Sequence, residues 1–296
     1  MKDQAELLRQ KMMRKSVQSR PYNQKAARTL AIVSGKGGVG KTNISVNLAV
    51  GLAKINKKVL LFDMDIGMGN IYHLINGNPS LSIVDFFERD FPLTQLIQAG
   101  PEGLSYIHGG SAFSSLFEWK EAYQEKWISG LRSLVEEFDF ILFDMGAGAT
   151  KESLNILQAV DEVLTVTTPE PTAMTDAYSM MKFIHMRDPQ KIFYLICNRV
   201  ESRKEGQETA GRLGSTMHRF LNVKPVFLGA IPEDSAVRKA VKMGQPFLLS
   251  FPKAKISFSF KQIVHQYAEE PKETFKEGSR FISKLRRFFT ERGGHE

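Results

Sequence analysis

The apolar residues of this chain gather into short runs, and the stretches between the runs show helical spacing. TLAIVS (29–34), KVLLFD (58–63) and FDFILFD (138–144) are apolar through most of their length, as expected of strands covered on both faces. Further strands are expected near Leu104–Ile107 and at Glu162–Thr167, Lys191–Cys197 and Val226–Ala230. TNISVNLAVGLAK (42–54) reads as a helix, with short helical pieces around Ile71–Ile75 and Ser82–Glu88 and a longer one across Trp119–Glu136. This alternation predicts an α/β fold, a doubly wound and mostly parallel sheet with helices on both faces. One further helix is expected at each end. Residues 3–15 read as a short helix with Ala5, Leu8 and Met12 along one side and Met1 in line with them just ahead of it, and SVQSRPYNQK (16–25), with Pro21, reads as a linker. The expected organisation is an N-terminal helix and linker (1–28), a central domain (29–252) and C-terminal helices (253–296).

Composition narrows this picture. A chain of 296 residues with 42% hydrophobic residues builds a core without covalent staples. The single cysteine, Cys197, excludes a disulfide framework, a four-cysteine zinc site and a cysteine-bridged iron–sulfur cluster within one chain. It reads as a buried structural thiol, and the six histidines show no metal-ligand spacing. No apolar run approaches the roughly 20 residues needed to span a bilayer, and MKDQAELLRQ is too polar for a secretory signal. A cytoplasmic protein, soluble or peripheral, is expected.

The formal charge of +8 suggests an anionic partner. Its distribution is more informative. Residues 1–28 carry eight basic and two acidic side chains, and residues 253–296 carry ten and six. The body between them is at −2. A nearly neutral body argues against a broad nucleic-acid face and for two basic appendages with separate roles.

The strongest chemical signal is GKGGVGKT (35–42), which fits G-x-x-x-x-G-K-[ST] and lies directly between a strand and a helix. Gly35, Gly37, Gly38 and Gly40 let backbone N–H groups turn toward phosphate oxygens, with Lys36 and Val39 between them and Asn43 just beyond. The helix that follows adds the positive end of its dipole. Lys41 would reach the terminal phosphates and the Thr42 hydroxyl would ligate Mg²⁺. Asp144, at the end of the most apolar strand, suits a residue that holds the Mg²⁺ shell through water. Asp63 and Asp65 in DMDIGMGN (63–70) suit a loop that senses the γ-phosphate, with Asp63 read as a residue that shapes it.

The reading K-G-G-V-G-K-T resembles the deviant Walker A motif of the MinD/ParA ATPases, a branch of the SIMIBI class of P-loop NTPases. The resemblance runs roughly through residues 29–250. It implies Mg²⁺-dependent ATP hydrolysis, slow and coupled to a monomer–dimer switch, with ATP and ADP as the bound nucleotides. Lys36, by itself a solvated loop lysine, would reach across an ATP-bound homodimer to the partner's nucleotide. Asp65 would orient the attacking water and approach the metal through water. DMGAG (144–148) is similar to the second switch and TTPEP (167–171) to a family segment after a strand. Asn198, Arg199, Pro232 and Asp234 match positions flanking the base.

Near the C-terminus, Phe281, Ile282, Leu285, Phe288 and Phe289 fall within an arc of about 120°, with Lys276, Arg280, Lys284 and Arg287 opposite. Such a helix suits an anionic membrane surface or docking on its own domain. MinD-like proteins end in a membrane-targeting helix, which favours the membrane and a peripheral location on the inner face of the cell membrane. At the other end, Asp3, Gln4, Ala5, Leu8 and Arg9 of DQAELLR resemble the D-Q-A-x-x-L-R motif of flagellar-number regulators of the FlhG/YlxH type. In that family the segment docks on the SRP-type GTPase FlhF and stimulates it, and flagellar switch-ring (C-ring) proteins are implied cargo. The alternatives are a MinD-like division-site regulator, which lacks the DQAELLR extension, and a ParA-like partition ATPase that binds DNA.

Overall fold

The computed structural model describes residues 26–65, 69–89, 91–110, 123–146, 151–269 and 280–290. The strands are β1 (Arg28–Val33), β2 (Val59–Met64), β3 (Gln98–Ala99), β4 (Ser105–Ile107), β5 (Phe140–Met145), β6 (Glu162–Thr167), β7 (Ile192–Val200) and β8 (Val226–Pro232). They form one sheet in the order β3-β4-β2-β5-β1-β6-β7-β8. All neighbours are parallel except β3 and β4. Every residue of β1, β2, β5 and β6 is buried, which accounts for their unbroken apolar runs.

Helices cover both faces. On one side lie α1 (Lys41–Lys54) and α2 (Ile71–Leu74), and from the C-terminal half α8 (Ser235–Lys242), α9 (Phe247–Ser250) and α10 (Lys255–Glu269). The other side carries α3 (Ile83–Glu88), α4 (Tyr123–Glu137), α5 (Lys151–Ala159), α6 (Pro171–His185), α7 (Arg203–Leu221) and α11 (Arg280–Thr290). Alternate strand residues feed the two cores: Leu30 and Ile32 point one way, Ala31 and Val33 the other. The short antiparallel β3 is an element the sequence pattern did not reveal. Two residues are too few to show a period.

Two placements differ from the sequence division. Arg28, counted above with the basic N-terminal segment, is the first residue of β1 and only 6% exposed. Its Nε and Nη2 donate to Glu162 Oε1 at 3.0 and 2.8 Å, and its Nη1 donates to the Tyr267 carbonyl at 3.0 Å. Tyr267 donates its hydroxyl to Glu162 Oε2 at 2.6 Å and lays its ring under the guanidinium. Tyr267 belongs to α10, so this buried cluster ties the start of the body to a helix beyond residue 252. Ile256, Phe260, Ile263 and Val264 of the same helix share the core of α1. The core therefore continues through Glu269.

The second placement concerns the C-terminal helix. Phe281, Ile282 and Leu285, grouped by their spacing as an apolar face, are 2%, 7% and 0% exposed. They pack against α4 and α5, and the Phe281 ring lies 5.9 Å from that of Phe143 on β5. In this structure the docked alternative holds, because the body supplies an apolar seat of its own. Lys284 donates to Asp188 Oδ2 at 2.8 Å. Lys191, whose side chain is fully buried, is paired with the same Asp188 oxygen at 3.2 Å and donates to the carbonyls of Gln158 and Val160. The side chains of Phe288 and Phe289, Lys276, and the segment holding Asp3, Gln4, Ala5, Leu8 and Arg9 lie outside the described residues.

Candidate nucleotide site

Three strand ends bring the chemistry together. β1 runs into the glycine-rich loop, and β2 and β5 lie in a register that sets Asp63 beside Asp144. All three are parallel, so their C-terminal ends meet at one edge of the sheet, where open α/β sheets hold ligands. Gly38 (φ 80°) and Gly40 (φ 93°) adopt the left-handed conformation that curls the loop before α1 begins at Lys41. Two glycines are required by close approach as well. A Cβ on Gly35 would overlap the Asp176 backbone of α6, and one on Gly40 would lie 2.5 Å from Asn198 Nδ2. At Gly37 and Gly38 a Cβ would meet nothing within 4 Å, so the crest of the loop stands clear of the protein. That is the form of a cradle for an anion.

Lys41 Nζ donates to Asp144 Oδ1 at 2.8 Å, and both side chains are nearly buried. Ser45 Oγ lies 2.7 Å from the same oxygen. The sequence reading missed Ser45; its one signal is the spacing of four from Lys41, which puts both on one helix face. Thr42 and Asn43 occupy the first turn of α1, half-buried. Asp65 reaches the same place from the other side: a Cβ on Gly146 would be 3.3 Å from Asp65 Oδ1. Asp63 accepts from the backbone N–H of Asp65 at 3.2 Å and of Ile71 at 3.3 Å, and so pins the loop at both ends. Ile66 to Met68 and Ala147 to Thr150 lie outside the described residues.

The electrostatics follow from this convergence. Burial, reinforced by Asp144, pushes the Asp63 carboxyl up to about 7 against the pull of two backbone N–H groups. Burial also raises Asp65, opposed by Lys41 and aided by Asp144. Three carboxylates with one lysine between them make a site that a divalent cation would relieve. The donors are hard oxygens, as Mg²⁺ prefers. Among the described residues no group of three or more His, Cys, Asp or Glu could hold a metal unaided. Phosphate and water would have to complete the shell. Thr42 would hold the ion directly, and Asp144 and Asp65 through water.

Lys36 stands on the exposed rim, where its Nζ donates to Glu170 Oε2 at 2.9 Å and to Thr172 Oγ1 at 3.2 Å. Asn198 donates from Nδ2 to the Val39 carbonyl at 2.7 Å and so braces the phosphate loop from β7. Arg199 is exposed with φ 56°, Pro232 ends β8, and Asp234 caps α8 by accepting from Ala236 N–H at 2.9 Å. The register of β7 and β8 sets Asn198 beside Ile231, one residue from Pro232.

With this geometry in place, comparison with known proteins identifies the family. The ParA family model, described as NUBPL iron-transfer P-loop NTPase, matches residues 25–268. The chain belongs to the ParA/MinD family of P-loop ATPases. The antiactivator FleN of Pseudomonas aeruginosa is 32% identical over 242 residues, covering 82% of this chain and 86% of that protein. The flagellum site-determining protein YlxH of Helicobacter pylori is 34% identical over 252 residues, covering 82% of each. Among solved structures, MinD of Pyrococcus horikoshii complexed with Mg-ADP has a TM-score of 0.70 at 24% identity, over 82% of this chain and 96% of that one. The fold is thus that of MinD, and the protein is an ATP hydrolase. The iron-transfer part of the family description finds no support in a chain whose one cysteine is buried in β7.

Proposed function

We propose that this ParA/MinD-family ATPase is a nucleotide switch that sets flagellum number or placement. ATP would join two copies face to face, and hydrolysis would part them. The observation that carries the reading is the pairing of Lys41 with Asp144 beneath a glycine cradle, with a second lysine, Lys36, held free of that pair on the rim. Lys41 binds phosphate oxygens and leaves Asp144 to fix the water shell. Asp65, next to Gly146, orients the attacking water. A bound Mg²⁺ would neutralise phosphate charge. Lys36 of each copy reaches the other's nucleotide and screens charge on the transferred phosphoryl group. Asn198, Arg199, Pro232 and Asp234 flank the adenine.

The flagellar assignment rests on the likeness to FleN and YlxH. In this reading Asp3, Gln4, Ala5, Leu8 and Arg9 engage the SRP-type GTPase FlhF. The ATP dimer lies on the inner face of the cell membrane, held by the apolar face of α11, and C-ring switch proteins are cargo. Among the described residues no helix is long and apolar enough to cross a membrane, so attachment would be in-plane. Phe281, Ile282 and Leu285 are seated on the body, so α11 must leave that seat before it can enter lipid. Cosedimentation with anionic vesicles and with duplex DNA, under ATP and ADP in parallel, tests the switch. Capture by vesicles under ATP alone supports it; capture by DNA instead would favour the partition-type reading.

A further inference from the structure

Ser45 is fully buried on α1, one turn beyond Lys41, and belongs to no nucleotide motif. Its Oγ has two acceptors within reach: Asp144 Oδ1 at 2.7 Å and the Lys41 carbonyl at 3.1 Å. A hydroxyl has one hydrogen, so the two compete. A serine inside a helix ordinarily returns that hydrogen to the carbonyl four residues back. Here the carboxylate is nearer and charged, and charge-assisted bonds are the stronger class. The hydrogen therefore goes to Asp144.

Asp144 Oδ1 thus has two donors, Ser45 and Lys41 Nζ. The second is on loan, because the phosphate loop's lysine is needed by the phosphates. When Lys41 turns to them, a carboxylate that is only 1% exposed keeps a single protein donor on Oδ1. Without that donor the carboxylate could rotate away from α1. With it, Oδ1 stays fixed against α1, and Oδ2 is left for a metal's water.

We infer that Ser45 is a positioning residue for Asp144: it holds the carboxylate by Oδ1 after Lys41 has gone to the phosphates, so that Oδ2 can bind the water shell of Mg²⁺. The inference rests on the ATPase reading of the loop and adds the residue that sets its metal requirement. It also accounts for a polar side chain fully buried on a helix whose other inward residues are mostly apolar.

The test uses the full-length protein and a fluorescent ADP, with affinity measured in EDTA and across a Mg²⁺ titration. Ser45→Ala is expected to leave the metal-free affinity within about twofold. The Mg²⁺ concentration for half-maximal tightening should rise about tenfold, the effect of losing one bond to a charged group. Ser45→Cys fills the site with a somewhat larger side chain and only a weak donor, and should behave like Ser45→Ala. A normal metal requirement in both variants overturns the inference. So does a shift in Ser45→Ala with none in Ser45→Cys, which would trace the effect to packing. An equal loss of affinity with and without metal overturns it as well, because Ser45 would then shape the loop. If the unaltered protein bound no nucleotide in either condition, the ATPase reading itself would fail.

Discussion

Lys36 Nζ is held 2.9 Å from Glu170 Oε2 within its own chain, at the rim of the phosphate loop and just ahead of α6. In the proposed ATP dimer this lysine would reach the partner's nucleotide, and it would then have to exchange this contact. Exposed ion pairs are worth about 0.2–1 kcal/mol. Each dimer would release two such pairs, so Glu170→Gln is expected to lower the protein concentration for ATP-dependent dimerisation by about twofold to thirtyfold in sedimentation velocity. Lys36→Ala should dimerise and hydrolyse poorly. A midpoint raised by Glu170→Gln would show that the contact does not hold Lys36 back.

Leu285, on α11, is completely buried against the body. Leu285→Ala should cost about 2–4 kcal/mol in urea unfolding if the docked helix belongs to the cooperative unit. A cost near zero would mean that α11 melts independently. Asp188→Asn removes the partner of Lys284 and of the buried Lys191 and leaves α11 unaltered. It should raise vesicle capture under ADP at least about twofold, with the urea midpoint read alongside because Lys191 loses its counter-charge; unchanged capture would mean that this pair does not limit undocking.

The cluster at the start of β1 makes a separate prediction. Glu162→Gln leaves the Arg28 guanidinium buried without its counter-charge, which costs about 3–5 kcal/mol. Tyr267→Phe removes one hydroxyl donor and should cost about 1–2 kcal/mol. Denaturant midpoints of the two variants decide the order; an equal or reversed cost would contradict the pairing.

Much of this was readable from sequence, and the reason is local. Strands buried on both faces announce themselves by unbroken apolar runs, and the glycine spacing of residues 35–42 fixes both the loop and its place between β1 and α1. Asp144 was found because it ends such a run. Contacts joining distant segments were not legible. Nothing near Arg28 marks it as the partner of Glu162 and Tyr267, so it falls among the basic residues of the N-terminal segment. The spacing of Phe281, Ile282 and Leu285 showed a face but not what covers it. Ser45 lay hidden because a serine four residues after Lys41 has no meaning until Asp144 arrives from another strand.

Burial lowers the Lys191 ammonium from 10.5 to about 8, with Lys284 adding to the shift and Asp188 opposing it. The unfolded chain binds the proton more tightly, so between these values stability rises with pH and is lost as pH falls toward 8. From pH 8 to 9.5 the unaltered protein should gain about 1.5 kcal/mol relative to Lys191→Met in urea unfolding. Parallel pH profiles would contradict the burial of a charged lysine.

Asp161 accepts from both the backbone N–H and the hydroxyl of Thr29, where the chain enters β1, and its carboxyl also feels Lys284 of α11 and Lys191. It precedes β6 and so stands at the N-terminal edge of the sheet, while the phosphate loop occupies the C-terminal edge, about 20 Å away along a six-residue strand. The entry into the body and the helix that closes it, more than 250 residues apart in sequence, therefore share one acidic hinge-post on the pole turned away from the nucleotide. The first strand of the body and α11 are thus fastened at a single junction, and loosening one would be felt by the other.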